Sequence, residues 1–593
     1  MPPVLSSPPE ASDAFESLVS QFSSATDCFR ELVQNSIDAG SLTIEVWLEF
    51  VPGDGPLGTI AVHVDDYGEG MDERVVHEEL TRLFASSKDR DLTKIGKFGI
   101  GFVSVFALRP KAVLIHTGRE GCYLEVLIEE DRSYSCERID TPVEGTRVTV
   151  FIAGDRQDHV DLCARAREAL ARWCCHSDVE ITFEDRSDPE SCGPEKIAEP
   201  FQLSGLCPVE HSEPGTQIVM AYDRPPSYGF YNRGLALLVT GDVEEALPEH
   251  VSAFRHVSFK IKSRYLEHTL SRETVFRDAS FDKAVQKLIE LRRGPLRRAL
   301  VENLTALAAS GEQEPASEDR YMRLLEILAE EDSDFLVAEG KQPVLRTWNG
   351  QATTLEQAFR SLLVHGRVFV STRRSVLVDR LCERRMLVFR GDGRRSERDE
   401  PMRTLLSRSL LAQESRSLLG MLGKWTGLDL RADVLKAGSW FAYDLWARSG
   451  QRVVDPHRVF RALEIDPQPL VELRALVDGA ACALEEIGAP YKRVSTCRLA
   501  DPEIAPPLFL IGPELDPLMA RPPDSLEPDA QRSSAVAINR DHPRLAMFQR
   551  IHARWPALAV YALAKDLLLA TDQLLDRDQA LMDAARRICE KKG

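Results

Sequence analysis

The sharpest alternation in the chain is "TIEVWLEF", Thr43 to Phe50, where Ile44, Val46, Leu48 and Phe50 fall on one side. A period of two predicts a strand with one buried face. The turn "VPGDGPLG" follows, and "TIAVHVDD" reads as the partner strand, ending at a glycine-rich corner. Further strands are expected at "CYLEVLIEE" and "GTRVTVFIA". Ahead of them, from about Phe15 through Ala39, the pattern is helical. Within it "ELVQNSIDAG" places Glu31, Asn35 and Asp38 at i, i+4 and i+7, on one face, while Leu32, Val33, Ile37 and Ala39 point elsewhere. The polar stretch "EDRSDPESCGPEKIAEP", Glu184 to Pro200, reads as a linker. A second α/β region follows, with a charged loop at Gly391 to Pro401, and helical character rises from about residue 425. The pattern predicts an α+β chain with a mixed sheet and no internal repeat.

Length and composition narrow the class. A chain of 593 residues suggests about three domains, and 43% hydrophobic with 28% charged residues is ordinary for globular proteins. No apolar run reaches membrane-spanning length, and "MPPVLSSPPE" lacks the basic start and apolar core of a signal peptide, so a cytoplasmic protein is expected. The 12 cysteines fit a reducing compartment; none forms a C-x-x-C pair, and "WCCH", Trp173 to His176, reads as buried thiols at a helix end rather than a metal site. A net charge of −19 repels nucleic acid and disfavours that class of partner.

Two glycine-rich segments carry candidate chemistry. "DDYGEGMD" holds Asp66-x-Gly68-x-Gly70 directly after a strand. Bare glycines let a flat ligand approach the backbone, and Asp66 can accept from an exocyclic amine; an acidic turn or a calcium-loop lookalike reads the same way. "KIGKFGIGFVSVFAL" holds Gly96-x-x-Gly99-x-Gly101 before an apolar run, and its backbone N–H groups can hold phosphates. It has neither the P-loop spacing nor the setting of a dinucleotide fingerprint. "GTRVTVF" adds Thr146 at the head of a strand.

Taken in order, the Glu31/Asn35 helix, Asp66-x-Gly68-x-Gly70, Gly96-x-x-Gly99-x-Gly101 and Gly145-Thr146 resemble the GHKL (Bergerat) ATP-binding fold. The resemblance implies ATP and a magnesium ion as cofactors. It assigns the metal to Asn35, the adenine amine to Asp66, the phosphates to Gly96, Lys97, Gly99, Ile100, Gly101 and Phe102, and support of the adenine end to Thr146. Asp38, Ala39, Gly68, Gly70 and Met71 complete the implied nucleotide site. Glu31 is placed to orient or deprotonate a water aimed at the γ-phosphate.

Other stretches resemble one branch, the ninety-kilodalton heat-shock chaperones whose bacterial form is HtpG. "GKFGIGFVSVFAL" and "FRELVQNSIDA" are similar to that branch, though "DAG" is shared with mismatch-repair proteins. "GFYNRGLALLVTGDVEEALPEHVSAFRHVSFK" followed by "LEHTLSRETVFRD" resembles its middle domain, whose loop arginine reaches the γ-phosphate; the matching residue is Arg272. Alone, Arg272 reads better as a surface ion-pair partner of Glu273 or a neighbour. "AINRDHPRLAMFQRIHARWP" and the helices after it resemble the dimerising end, with Pro556 suited to a helix start. Tyr561, Leu568 and Leu575 recur every seven residues, and Leu581, Ala585 and Ile588 continue an apolar face. An intramolecular helix pair would give the same pattern.

The resemblance implies three domains: GHKL ATP-binding (1–190), middle α/β (195–415) and helical C-terminal dimerisation (425–593). It implies an ATP-hydrolysing, homodimeric molecular chaperone acting on unfolded or partly folded client proteins. A GHKL nucleic-acid clamp and a nucleotide-gated scaffold with little hydrolysis are the alternatives. Departures from the family pattern are a shortened lid at Met71 to Ile95, Glu79 where a phosphate-facing Asn is expected, Lys97 in place of Gln, "PPVLSSPP" at the exchanged strand, Phe276 four residues after Arg272, and "CEKKG" in place of an acidic tail. They bear on lid closure and strand exchange rather than on nucleotide binding.

Overall fold

The alternating stretch becomes strand β1 (Thr43–Pro52), in which Ile44, Val46 and Leu48 are fully buried while Glu45, Trp47 and Glu49 occupy the other face. A computed structural model describes residues 24–80, 99–187, 193–267, 274–310, 314–393, 400–410, 412–413, 452–465, 471–489, 491, 493–501, 506–512, 535–570 and 576–592. The chain divides into two units, Met1–Ala299 and Leu300–Gly593.

In the first unit, helix α1 (Asp27–Asp38) precedes β1, and β2 (Gly58–Asp66) pairs with β1 antiparallel as its turn predicts. A short helix α2 (Gly99–Val103) precedes β3 (Ala112–Arg119), β4 (Cys122–Glu129), β5 (Tyr134–Arg138) and β6 (Gly145–Gly154). Then come α3 (Arg156–Cys174), β7 (Glu180–Asp185) and β8 (Glu195–Lys196). The eight strands form one mixed sheet in the order β5-β4-β3-β6-β2-β1-β7-β8, with β1 and β7 parallel. Helices α1 and α3 pack on one face, over Ile44, Val46, Leu48, Val62, Val148 and Val150. Burying each such side chain stabilises by about 1.5–3 kcal/mol. The start of α3 is fixed by a capping box in which the Asp155 and Asp158 carboxylates each accept from the other's backbone N–H.

The stretch expected as a linker is partly sheet. Glu195 and Lys196 pair with Phe183 and Thr182 of β7, and Ile197 is buried in the first core. Polar composition suits an edge strand as well as a loop, because only one side of it is covered. A second sheet follows: β9 (Leu206–Glu213), β10 (Thr216–Tyr222), β11 (Tyr228–Asn232), β12 (Leu235–Thr240) and β13 (Val257–Ser263), ordered β12-β11-β13-β10-β9. Helix α4 (Ala279–Leu291) lays Phe281 against Phe230 of this sheet, ring centroids 5.5 Å apart.

The β11–β12 hairpin meets the first sheet. Its two-residue turn, Arg233–Gly234, has positive φ at both positions (47° and 90°), the geometry that matches the twist of a hairpin. A Cβ on Gly234 would lie 1.9 Å from the His176 carbonyl oxygen, so the turn sits hard against the end of α3. Leu235, next in sequence, is buried in the core of the eight-stranded sheet. Around this junction the Lys260 ammonium donates to His176 Nε2 (2.9 Å) and Lys262 to Asp178 (2.7 Å). His176 Nδ1–H donates to the Glu199 carbonyl (3.1 Å), so the imidazole is neutral with its proton on Nδ1.

The second unit holds helix α5 (Pro315–Glu330), the hairpin β14 (Leu345–Arg346) and β15 (Ala352–Thr353), and a small parallel sheet, β16 (Val368–Ser371) between β17 (Val388–Arg390) and β18 (Val453–Val454). A four-stranded sheet follows: β19 (Leu463–Ile465), β20 (Arg493–Leu499), β21 (Phe509–Gly512) and β22 (Ala535–Asn539), ordered β19-β20-β22-β21. Nothing in the rising helical pattern foretells it. The helices here are α6 (Val471–Glu486), α7 (Pro543–His552), α8 (Pro556–Ala570) and α9 (Asp578–Lys592); α8 starts at Pro556 as expected. Leu568, Leu581 and Ala585 are buried in the core that α6 to α9 share with this sheet, and Ile588 packs on its rim. The heptad face is therefore spent within the chain; Leu575 lies outside the described residues. Leu558, Leu569 and Met582 remain exposed. Among the described residues, no helix is long and apolar enough to cross a membrane.

Candidate functional site

Three chain segments converge at the C-terminal end of β2. Helix α1 supplies the first, and its end is set by backbone geometry. Gly40 adopts φ of 80°; its N–H bonds the Ile37 carbonyl (3.0 Å) and that of Ser41 bonds the Ser36 carbonyl (3.0 Å). This paired pattern is a Schellman stop. It turns the chain so that the Ser41 hydroxyl accepts from the Tyr67 N–H (3.0 Å), tying the helix end to the residue after Asp66.

Asp66 ends β2 and is 8% exposed. One oxygen accepts from the N–H groups of Gly68 (2.9 Å) and Thr146 (3.2 Å), and the other from the Ser36 hydroxyl (3.1 Å). Burial pushes its carboxyl above the usual value, opposed by these three donors. The carboxylate is thus fixed in direction, and its oxygens keep acceptor capacity beyond those three bonds.

The second segment is the glycine corner. Gly68 lies against Ala39, whose carbonyl accepts from the Glu69 N–H (2.9 Å). A Cβ on Gly70, at φ of 63°, would meet the Gly118 carbonyl oxygen at 2.1 Å, so only glycine fits. The Met71 N–H donates to Thr117 Oγ1 (2.8 Å). The third segment is the head of β6, where Thr146 Oγ1 shares a hydrogen bond with Thr117 Oγ1 (3.0 Å).

The structure brings Asp66, Gly68, Gly70, Met71, Ala39 and Thr146 together, and places Asn35 beside Ser36 on the helix that touches Asp66. Glu31, one turn earlier, is 2% exposed. Phe102 and Gly101 are buried in α2, which packs on α1, and Gly99 opens that helix with Ile100 next. Asp38 is directed elsewhere: it accepts from Gln34 (3.1 Å) and lies 3.6 Å from Arg233 of the hairpin turn. Gly96, Lys97 and Arg272 lie outside the described residues, as does the side chain of Glu79. Ser36 and Thr117 are hydrogen-bond partners in this cluster that the motif pattern does not single out. Ser36 stands next to Asn35 and faces inward with Leu32 and Val33, a small polar residue among apolar ones; Thr117 carries no local signal.

Two features lie outside the site. Cys174 ends α3 fully buried, and burial pushes its thiol up to about 12, in keeping with an inert buried thiol. On the open face of the sheet, Trp47 stacks on His63 at 3.4 Å with the Arg186 guanidinium 3.7 Å above the indole.

Residues 23–134 match the family described as histidine kinase-, DNA gyrase B-, and HSP90-like ATPase. The chain is 28% identical over 178 residues to chaperone protein HtpG of Coxiella burnetii, covering 25% of this chain and 27% of that protein. It is 29% identical over 203 residues to HtpG of Shewanella frigidimarina, covering 28% and 31% respectively. With HtpG of Alkalilimnicola ehrlichii it is 30% identical over 195 residues, 27% of this chain and 29% of that protein. The matched stretch thus spans under a third of these relatives.

Proposed function

Given that residues 23–134 carry an ATPase domain of the GHKL type, we propose that this protein is an ATP-dependent molecular chaperone of the HtpG kind. The observation that carries the reading is the Asp66 carboxylate, buried at a strand end and aimed by Ser36, Gly68 and Thr146. A buried carboxylate held in one direction suits an exocyclic amine of a flat base, and the bare backbone of Gly68 and Gly70 admits that base.

The residues present fit ATP with magnesium. Asn35 would give the metal a neutral oxygen, leaving its other positions to phosphate and water, as magnesium prefers. Gly96 to Gly101, with Lys97 and Phe102, would surround the phosphates. The metal's contribution is to neutralise charge developing on them. Glu31, buried one turn before Asn35, orients and deprotonates the attacking water. Arg272 would stabilise the charge developing on the γ-phosphate during transfer. Asp38 supports the site indirectly, through the pairing with Arg233 that joins α1 to the second sheet. The chain works as a homodimer in the cytoplasm, its contact drawn from the exposed Leu558, Leu569 and Met582 on the C-terminal helices. Its ligands are unfolded or partly folded proteins.

ATPase turnover measured with and without an unfolding model client tests the reading. Stimulation by the client supports a chaperone. No ATP binding at all, or binding of DNA with a steep salt slope, sinks it.

A further inference from the structure

Away from the nucleotide site, two clusters among the described residues bring potential metal ligands within 4.8 Å of one another: His159, Cys163 and Asp185, and Cys175, His176 and Glu199. The second is already occupied by the protein itself. Both ring nitrogens of His176 are hydrogen-bonded, and the Lys260 ammonium stands where a cation would have to sit.

The first cluster differs. His159 and Cys163 lie one turn apart on α3, and Asp185 ends β7. A single nitrogen, His159 Nε2, faces Cys163 Sγ at 3.5 Å and Asp185 Oδ1 at 3.4 Å. That nitrogen carries either a proton or a lone pair. With a proton it can satisfy the carboxylate but cannot also accept from the thiol. With a lone pair it can accept from the thiol, and the carboxylate then meets it lone pair to lone pair. The oxygen separation also exceeds the roughly 2.7–3.2 Å of a good N–H···O bond. Both separations instead match the edges of a tetrahedron. Zinc bonds of about 2.0–2.1 Å to nitrogen and oxygen and about 2.3 Å to sulfur give ligand separations of about 3.4 Å for N···O and about 3.6 Å for N···S.

We propose that His159 Nε2, Cys163 Sγ and the Asp185 carboxylate form a zinc site that staples α3 to the end of β7. Binding displaces the Cys163 thiol proton to solvent, so that a thiolate, a neutral imidazole and a carboxylate face the ion, and water takes the fourth position. His159 and Cys163 are 2% and 7% exposed, while the Asp185 side chain is 18% exposed and marks the side of entry. The site lies on the opposite end of α3 from the hairpin junction and does not depend on the chaperone reading.

The test uses the full chain, stripped with a chelator and titrated with cobalt, then zinc. One equivalent of cobalt should produce thiolate-to-metal charge-transfer absorption and tetrahedral ligand-field bands, both bleached by zinc. Cys163→Ser should abolish the charge-transfer band and weaken zinc by more than about 100-fold, beyond the 10–100-fold typical of losing an outer-shell partner. Asp185→Asn should keep the band and weaken zinc, which covers the case in which replacing buried Cys163 unfolds the domain. Cys175→Ser should change neither. Absence of saturable binding overturns the proposal, as does a band that survives Cys163→Ser or disappears with Cys175→Ser.

Discussion

Asp66 illustrates how one side chain acquires a single purpose. Three donors from three segments hold it, and its oxygens keep acceptor capacity beyond those bonds. Asp66→Asn should remove a charge-assisted bond worth about 1.5–3 kcal/mol, weakening ATP by roughly ten- to hundredfold; titration calorimetry showing unchanged affinity would remove Asp66 from the site. Glu31→Ala should leave binding near wild type and cut turnover by about 10²–10⁴-fold. Hydrolysis within a few-fold of wild type would deny Glu31 the role of base. His63 governs a different property. Burial, with Arg147 and Arg186 nearby, lowers its pKa from 6.5 to about 4. The unfolded chain therefore binds the extra proton between those values, so stability is present above pH 6.5 and is lost as pH falls toward 4. The loss is on the order of 3 kcal/mol. Melting profiles of wild type and His63→Gln across that range should diverge on the acid side, and parallel curves would count against the assignment.

At the scale of elements, what could be read from the sequence was what neighbours in sequence decide. The alternation in Thr43–Phe50 gave β1 and its buried face, and the "DAG" after Ile37 contains the glycine on which the Schellman stop depends. The order of motifs along the chain singles out Asp66, Gly68, Gly70 and Thr146, which the fold gathers at the end of β2. Contacts set by distant partners were silent. Glu195–Lys196 pairs with β7 only because the chain returns there, and Thr117 reaches the site only through the β3–β6 pairing. The four-stranded sheet of the second unit is assembled from strands far apart in sequence, so no local window displays it. The Arg233–Gly234 turn shows how tightly such contacts constrain. Gly234→Ala combines a left-handed φ with a Cβ 1.9 Å from a carbonyl oxygen, and should cost roughly 3 kcal/mol. Denaturant unfolding would measure it, and a loss below about 1 kcal/mol would mean the junction yields easily.

Across the whole molecule, the C-terminal helices must serve two masters. Their regular apolar face is consumed by their own core, so the dimer proposed above would rest on side chains that core leaves outside. Leu569→Glu should then yield monomers by light scattering with the fold intact by circular dichroism. An undisturbed dimer would move the contact elsewhere on the chain. At the other end, Ile197 and Leu235 complete the core of the eight-stranded sheet although both follow the stretch that reads as a boundary. Covalent continuity and structural membership therefore part company at that point. A protease recognition sequence placed within residues 188–192 would sever the backbone without separating the halves, because Leu235, the Lys260–His176 bond and the Lys262–Asp178 pair hold across the cut. The nicked pieces should co-elute as one particle, and the same two pieces, expressed from separate genes, should reconstitute each other like the fragments of a split reporter.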